Sequence, residues 1–135
     1  MEESSEKSEY IFDTSALISL GAVKLIDNIL KLVEIVITTS IIKEVEEFAK
    51  HEDKYGKASK EVLKYRDKFI VKKAEIKELI QYIGKIDNEL YNLAKKQSST
   101  LITDDIKFSR HVDGKIETQF STFFLTSLVS SNHLS

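Results

Sequence analysis

Acidic residues follow two short apolar runs of the sequence, at positions where they could bind a metal ion. The run 10–12 ends at Asp13, and the run 100–103 ends at Asp104 and Asp105. Both runs have the composition of buried strands. Ligands of open α/β sheets bind at the carboxyl ends of the strands. If these two strands are neighbours, we therefore expect their carboxylates to meet at one edge of the sheet.

Two further acids lie on predicted helices. Glu44 is one helical turn from both Ile41 and Phe48, so it flanks the apolar face of its helix near the N-terminal end. Asp87 shares a helix face with Leu90, which turns its side chain towards the protein. The sequence thus offers acids from four separate segments.

Each acid also has a purely structural explanation. Asp13, Asp87 and Asp104 or Asp105 stand where helices are predicted to begin, and aspartate there accepts hydrogen bonds from free backbone N–H groups. Glu44 taken alone is an ordinary charge on the side of a helix. Acids gathered from four segments would repel one another, however, unless a cation offsets their charge. Ligands that are all oxygen suit Mg²⁺ or Mn²⁺.

The apolar pattern along the chain predicts the elements that carry these acids. The predicted strands are 10–12, 35–38, 69–71, 100–103 and 116–120. In the first half of the chain, helices are predicted from residue 14, over 23–33, over 39–51 and in the basic stretch after residue 54. In the second half, helices are predicted over 76–83, where Gly84 terminates the helix, and over 86–97. A brief helix should start at 104, and a last one should lie around 123–129. Alternating strands and helices predict an α/β fold with a mostly parallel central sheet flanked by helices on both faces.

Length and composition favour a single domain that folds without disulfides or structural metal ions. We expect residues 1–9 to be a disordered lead-in and residues 10–135 to be a single domain, long enough to bury a proper core. Cysteine is absent, which excludes disulfides and thiolate zinc sites. No stretch approaches the ~20 apolar residues of a membrane span. The N-terminus does not resemble a signal peptide, so we expect a cytoplasmic protein with no membrane contact.

The charge is close to neutral but unevenly distributed. The formal net charge is −2, so a generally basic surface for nucleic acid is absent. Basic residues are concentrated in one stretch, called here the basic strip: Lys54, Lys57, Lys60, Lys64, Arg66 and Lys68. A solvated helical face and a contact strip for a phosphate backbone both account for this pattern.

The four acid-bearing segments, taken together, carry a family resemblance. They read YIFDTSALI (10–18), ITTSIIKEV (37–45), DNELYNLA (87–94) and LITDD (101–105). In content and order they resemble the signature blocks of the PIN domain family, the PilT N-terminus-like nucleases that include VapC-type toxin ribonucleases. The resemblance covers the chain from about residue 10 to residue 110, and it rests on all four blocks together.

The resemblance implies an activity and assigns roles to residues. It implies a divalent-metal-dependent nuclease, specifically an endoribonuclease that hydrolyses RNA phosphodiesters with Mg²⁺ or Mn²⁺, while DNA stays open as a substrate. It also implies a homodimer and, for a toxin of a toxin–antitoxin pair, an antitoxin partner. The implied catalytic metal ligands are Asp13, Glu44, Asp87 and Asp105. Asp104 would support them, and the hydroxyls of Thr14, Ser15 and Thr103 would hold these ligands or a metal-bound water.

Other interpretations of the same residues remain open. The main alternative is a catalytically inactive PIN-like module that binds nucleic acid or protein. The segment 12–15 also resembles the start of haloacid-dehalogenase-type phosphatases, but those need a second aspartate where this chain has Ser15. A response-regulator receiver places its adjacent acid pair after the first strand, whereas here the pair Asp104 and Asp105 follows a late one.

Overall fold

A computed structural model of the chain describes residues 7–132, so residues 1–6 of the predicted lead-in lie outside the described residues, while Glu9 already belongs to the first strand. The strands are β1 (Glu9–Phe12), β2 (Glu34–Thr38), β3 (Ile70–Lys72), β4 (Leu101–Ile102) and β5 (Thr118–Gln119). The α-helices are α1 (Thr14–Ala22), α2 (Ile26–Leu30), α3 (Thr39–Ala49), α4 (Lys54–Leu63), α5 (Lys85–Gln97), α6 (Ile106–His111) and α7 (Ser121–Asn132), with a short 3₁₀ turn at Arg66–Lys68. Within residues 7–132 no helix is long and apolar enough to cross a membrane.

The strands form one parallel sheet in the order β3-β2-β1-β4-β5. In the register of the two central strands, Phe12 is opposite Ile102. The consecutive residues Ile11 and Phe12 are both fully buried. Because consecutive strand residues point to opposite faces, both faces of the sheet are covered. The prediction of an α/β fold with a central parallel sheet is confirmed, and the ends of β1 and β4 are neighbours as expected.

Helices α1 and α4 pack unusually closely. A Cβ atom on Gly21 would lie 2.6 Å from the backbone oxygen of Ala58, so only glycine allows this approach. Helix α1 ends at Ala22, just after Gly21, because Lys24 adopts a left-handed backbone with φ 58° that cannot continue the helix. Helix α2 therefore starts only at Ile26, later than predicted. On another side of the core, the ring of Phe124 in α7 contacts Phe12 edge-on, with the centroids 5.6 Å apart.

The predicted helix over 76–83 is wrong, as is the role given to Gly84. Residues 73–84 contain no helix, and Gly84 is instead the N-cap of α5. The apolar residues that suggested a helix do not form a buried stripe, since Leu79 is 70% exposed and Ile76 is 38% exposed.

Two asparagines of α5 hold this segment in its irregular conformation. Asn88 accepts a hydrogen bond from the backbone N–H of Ile80 and donates to the backbone oxygens of Ile80, Ile83 and Gly84. Asn92 accepts from the N–H groups at positions 77 and 78. These side chains take the place of the i→i−4 bonds that a helix would make, which satisfies the backbone without helical geometry.

Candidate active site

Asp13 lies at the carboxyl end of β1, where it caps α1. Its Oδ1 accepts hydrogen bonds from the backbone N–H of Ala16 at 2.9 Å and from the Ser15 hydroxyl at 2.7 Å. Its Oδ2 accepts a hydrogen bond from the Thr103 hydroxyl. The residue is only 4% exposed. Asp13 is therefore an N-cap, as its position allowed, and at the same time a carboxylate fixed at the end of the central strand.

The end of β4 brings the late acids beside Asp13. The Thr103 hydroxyl accepts a hydrogen bond from the backbone N–H of Asp105 at 3.0 Å while it donates to Asp13. Asp105 in turn caps α6 by accepting from the N–H of Phe108 at 3.0 Å. One buried hydroxyl thus ties together the two segments that carry acids at the ends of neighbouring strands.

Asp104 is held differently from Asp105. Its two carboxylate oxygens accept hydrogen bonds from the backbone N–H and the hydroxyl of Ser121, both at 2.7 Å. Its backbone N–H donates to the Ser15 hydroxyl at 2.9 Å. Both oxygens of Asp104 are thus engaged at the start of α7, so this acid fastens the last helix to the sheet. Nothing in the sequence pointed to Ser121, because the contact joins residues far apart in the chain.

Glu44 and Asp87 complete the acidic pocket. Glu44 of α3 is half-buried and accepts a hydrogen bond from the Thr14 hydroxyl at 2.5 Å. Asp87, also half-buried, stands in the first turn of α5. The cavity has a volume of about 560 Å³ and is lined by both acidic and apolar residues. Its acidic lining consists of Asp13, Glu44, Asp87, Asp104 and Asp105, and its apolar and aromatic lining includes Ile18, Ile41, Phe48 and Tyr55.

The carboxylates influence one another's ionisation. Burial, followed by the negative charges of Asp13, Asp105 and Glu44, raises the pKa of Asp87 to about 6. Burial also raises the pKa of Asp13, although its hydrogen bonds from Thr103, Ala16 and Ser15 oppose this. Without a cation, then, the pocket holds negative charge at a cost in free energy.

The donor set fits a hard divalent cation in chemical type. All five acidic lining residues offer oxygen, which Mg²⁺ and Mn²⁺ prefer, and such ions keep several waters and need few carboxylates. Within residues 7–132, no three acidic, histidine or cysteine side chains are already arranged as a metal-holding group. Thr14 donates to one oxygen of Glu44, and Ser121 donates to both oxygens of Asp104, so in the described part of the chain Glu44 keeps a free oxygen for an ion while Asp104 is fully engaged by the protein.

The basic strip divides between separate surfaces. Lys54, Lys57, Lys60 and Lys64 line one groove along α4, outside the acidic pocket. Arg66 pairs with Glu46 of α3. Lys68 borders a different cavity, beside Lys31. The six basic residues therefore do not form one continuous strip in three dimensions.

Comparison with known proteins places the chain in a family. The family model described as "DUF3368: PIN domain" matches residues 9–114. A search among curated proteins gave no significant match. Several solved structures do match. The structure of PAE2754 from Pyrobaculum aerophilum has a TM-score of 0.68 at 21% identity, covering 93% of this chain and 99% of that one.

Two more structures share the fold. A PilT N-terminus domain protein, SSO1118 from Sulfolobus solfataricus, has a TM-score of 0.63 at 15% identity and covers 94% of this chain and 98% of that one. VapBC-1 from nontypeable Haemophilus influenzae has a TM-score of 0.59 at 16% identity, with 84% and 98% of the two chains covered. The family match spans all four acid-bearing segments. The chain belongs to the PIN domain family, whose members are generally nucleases.

Proposed function

We propose that the chain is a divalent-metal-dependent endoribonuclease whose catalytic residues are Asp13, Glu44, Asp87 and Asp105. The observation that carries this proposal is that acids from four separate segments line one pocket at the carboxyl edge of a parallel sheet. Burial, followed by the negative charges of the other acids, raises the pKa of Asp87 to about 6, and a bound cation would relieve the repulsion between these charges. If these acids served only as helix caps, they would not need to lie together in one pocket.

The chain's own residues have distinct parts in this proposal. Asp13 and Asp105 would be the main metal ligands, because their neighbouring strand ends are joined through Thr103. Asp87 would complete the cluster, and Glu44, oriented by Thr14, would hold a second ion directly or through water. Bound Mg²⁺ or Mn²⁺ would polarise the scissile phosphate and lower the pKa of a bound water. Asp104 would support the site by anchoring α7 through Ser121.

The direct test is cleavage of labelled single-stranded RNA with Mg²⁺, Mn²⁺ or EDTA. We compare the native protein with the double variant Asp13→Asn, Asp105→Asn. Asparagine also caps helices, so α1 and α6 keep their starts while the pocket loses two charges. The matched control is Asp27→Asn, Asp67→Asn, which removes two charges outside the pocket. We expect metal-dependent cutting by the native protein and the control only; equal cutting by the pocket variant would refute the assignment.

We also propose that this activity serves as the toxin of a toxin–antitoxin pair in the cytoplasm, acting as a homodimer. Support comes from the shared fold with the structure described as VapBC-1. Induced expression without a partner gene should arrest bacterial growth, and the Asp13→Asn, Asp105→Asn variant should not. Growth that continues with well-expressed native protein would argue for a different cellular role. Sedimentation of the purified protein tests the dimer.

A further inference from the structure

A basic groove runs between the end of α1 and the exposed side of α4. Its lysines are Lys24, Lys54, Lys57, Lys60 and Lys64. The close approach of the two helices at Gly21 and Ala58 forms its floor. Along α4 these lysines follow one another by three or four residues, so they share one helix face. From Lys54 to Lys64 they extend over roughly 15 Å, a length in which a nucleic-acid strand carries several phosphates.

The charge of this groove is strongly one-sided. Among the described residues 7–132, the only acid that lines it is Glu61, whose carboxylate pairs with Lys64 at 2.9 Å. All five lysines are exposed. The neighbouring pocket is lined by five acids. A polyanion that approaches those acids is repelled, and a basic groove close by would offset this repulsion and hold the polyanion by its backbone.

The groove and the acidic pocket lie along the same two helices. In α1, Ile18 and Ser19 line the pocket, and the next turn, from Gly21, lines the groove. In α4, Tyr55 lines the pocket while Lys54 lines the groove. The Lys54 ammonium stands 5.3 Å from the centroid of the Tyr55 ring. The two cavities therefore adjoin at Lys54 and Tyr55.

Exposed aromatic rings mark the junction. Tyr55 is 49% exposed and Phe48 is 40% exposed, and both line the acidic pocket. Aromatic faces beside a basic track are the means by which proteins bind single-stranded nucleic acid, because unpaired bases stack on the rings while lysines hold the phosphates. In a duplex the bases are already stacked on one another and do not present their faces.

We infer that the groove between α1 and α4 binds the phosphate backbone of single-stranded RNA, whose following nucleotide stacks on Tyr55 as the strand enters the acidic pocket. This inference rests on the proposed ribonuclease function and specifies how its substrate is bound. An acidic protein segment would also be attracted by five lysines. The adjoining aromatic rings and the continuity with the carboxylates favour RNA, and the acidic segment is a separate outcome of the test.

Binding is measured in EDTA, so that it does not depend on catalysis. The test variant is Lys24→Ala, Lys57→Ala, Lys60→Ala. The matched control is Lys31→Ala, Lys77→Ala, Lys96→Ala, which removes the same charge from exposed lysines on other surfaces. We expect the test variant to bind a fluorescent 12-nucleotide RNA at least tenfold more weakly and to reduce the slope of log K against log salt by about 2. The control should stay within about twofold of the native affinity.

Tyr55 supplies the second arm of the experiment. Tyr55→Phe keeps the ring and should bind RNA as the native protein does, whereas Tyr55→Ala should bind several-fold more weakly with an unchanged salt slope. Equal losses of RNA affinity in the groove variant and in the lysine control would overturn the inference, because the position of the lysines would then make no difference to binding. Native RNA affinity in the groove variant, with lost binding of poly-glutamate, would assign the groove to an acidic protein instead. Groove-dependent RNA binding without any cleavage would support this inference while it contradicts the proposed nuclease activity.

Discussion

Hydroxyl side chains pair with the acids of the pocket and join segments that are separate in the chain, as Ser121 does with Asp104. Thr14 of α1 donates to Glu44 of α3, and Thr103 after β4 donates to Asp13 after β1. Ser15 donates to Asp13 and accepts from the backbone of Asp104. Because a hydroxyl both donates and accepts, it can donate to a carboxylate while it accepts from a backbone N–H, as Thr103 does between Asp13 and Asp105.

Replacing Thr103 tests this bridge. In Thr103→Val the buried Asp13 loses the donor to its Oδ2, and the N–H of Asp105 loses its acceptor. We expect a loss of about 1–3 kcal/mol in the free energy of unfolding, measured in urea with EDTA. The pKa of Asp13, followed by NMR, should rise further because that hydrogen bond lowers it. Thr103→Ser retains the hydroxyl and should restore both quantities. Native stability of the valine variant would show that the bridge contributes nothing.

Asp87 gives a pH-dependent prediction. Its pKa in the folded protein, about 6, lies above the ordinary value of 3.8. The folded state therefore binds its proton more tightly than the unfolded state, so stability falls as the pH rises from 3.8 to about 6. Because Asp87 is only half-buried and solvent screens its charge, we expect this difference in stability to be about 1–2 kcal/mol.

We therefore expect metal-free Asp87→Asn to be more stable than the native protein at neutral pH and to lose this advantage near about pH 4. Urea unfolding in EDTA across this pH range measures it. Asp67→Asn, in the exposed 3₁₀ turn, is the control and should leave the pH dependence unchanged. The same pH dependence of stability in the native protein and in Asp87→Asn would contradict the effect attributed to the burial of Asp87 and to its acidic neighbours.

At the scale of elements, the segment 73–84 has an apolar pattern typical of a helix, but side chains of the following helix α5 impose another conformation. Its apolar spacing matched a helix, yet Asn88 and Asn92 bind its backbone in another conformation. Asn88 is 1% exposed and makes four such hydrogen bonds. The segment thus depends on α5, the helix that also carries Asp87.

Asn88→Ala should release this segment. Several backbone groups would lose their partners at once, so we expect a loss of roughly 2–3 kcal/mol in stability. Amide hydrogen exchange over residues 77–84 should accelerate, while exchange in the central strands should follow the global stability alone. Gln81→Ala, an exposed residue in the same segment, is the control and should leave both measurements near native values. Unchanged exchange in Asn88→Ala would mean that other contacts hold the segment.

The sequence predicted those features that depend on neighbours in the chain. β1 and β4 are short apolar runs that end in acids, and their parallel pairing followed from the alternation of strands and helices. Helix periodicity predicted only that Glu44 and Asp87 turn towards the protein, and their place beside Asp13 and Asp105 was what the PIN resemblance implied. Features that depend on contacts distant in the chain were missed, as shown by the Asp104 bond to Ser121 and by the closeness of Lys24 to the α4 lysines. No local period carries information about such pairs.

At the scale of the whole molecule, a net charge of −2 conceals two regions of opposite sign. Five carboxylates line the pocket, and five lysines line the adjoining groove. The acids belong to α3, α5 and the ends of β1 and β4, so their repulsion acts between elements and opposes the folded state as a whole. A cation in the pocket would therefore stabilise the entire fold rather than one loop.

Metal binding should accordingly raise the melting temperature of the native protein. A ligand at 100 times its dissociation constant adds about 2.7 kcal/mol to stability, which for a domain of this size corresponds to several degrees or more. We expect Mg²⁺ or Mn²⁺ to produce such a shift relative to EDTA in the native protein and in Asp27→Asn, Asp67→Asn. The variant Asp13→Asn, Asp105→Asn should show little shift, because two ligands have lost their charge. Since melting reports binding without any substrate, equal shifts in all three proteins would place the cation outside the pocket. The absence of any shift would favour an inactive PIN-like binding module over a metal-dependent nuclease.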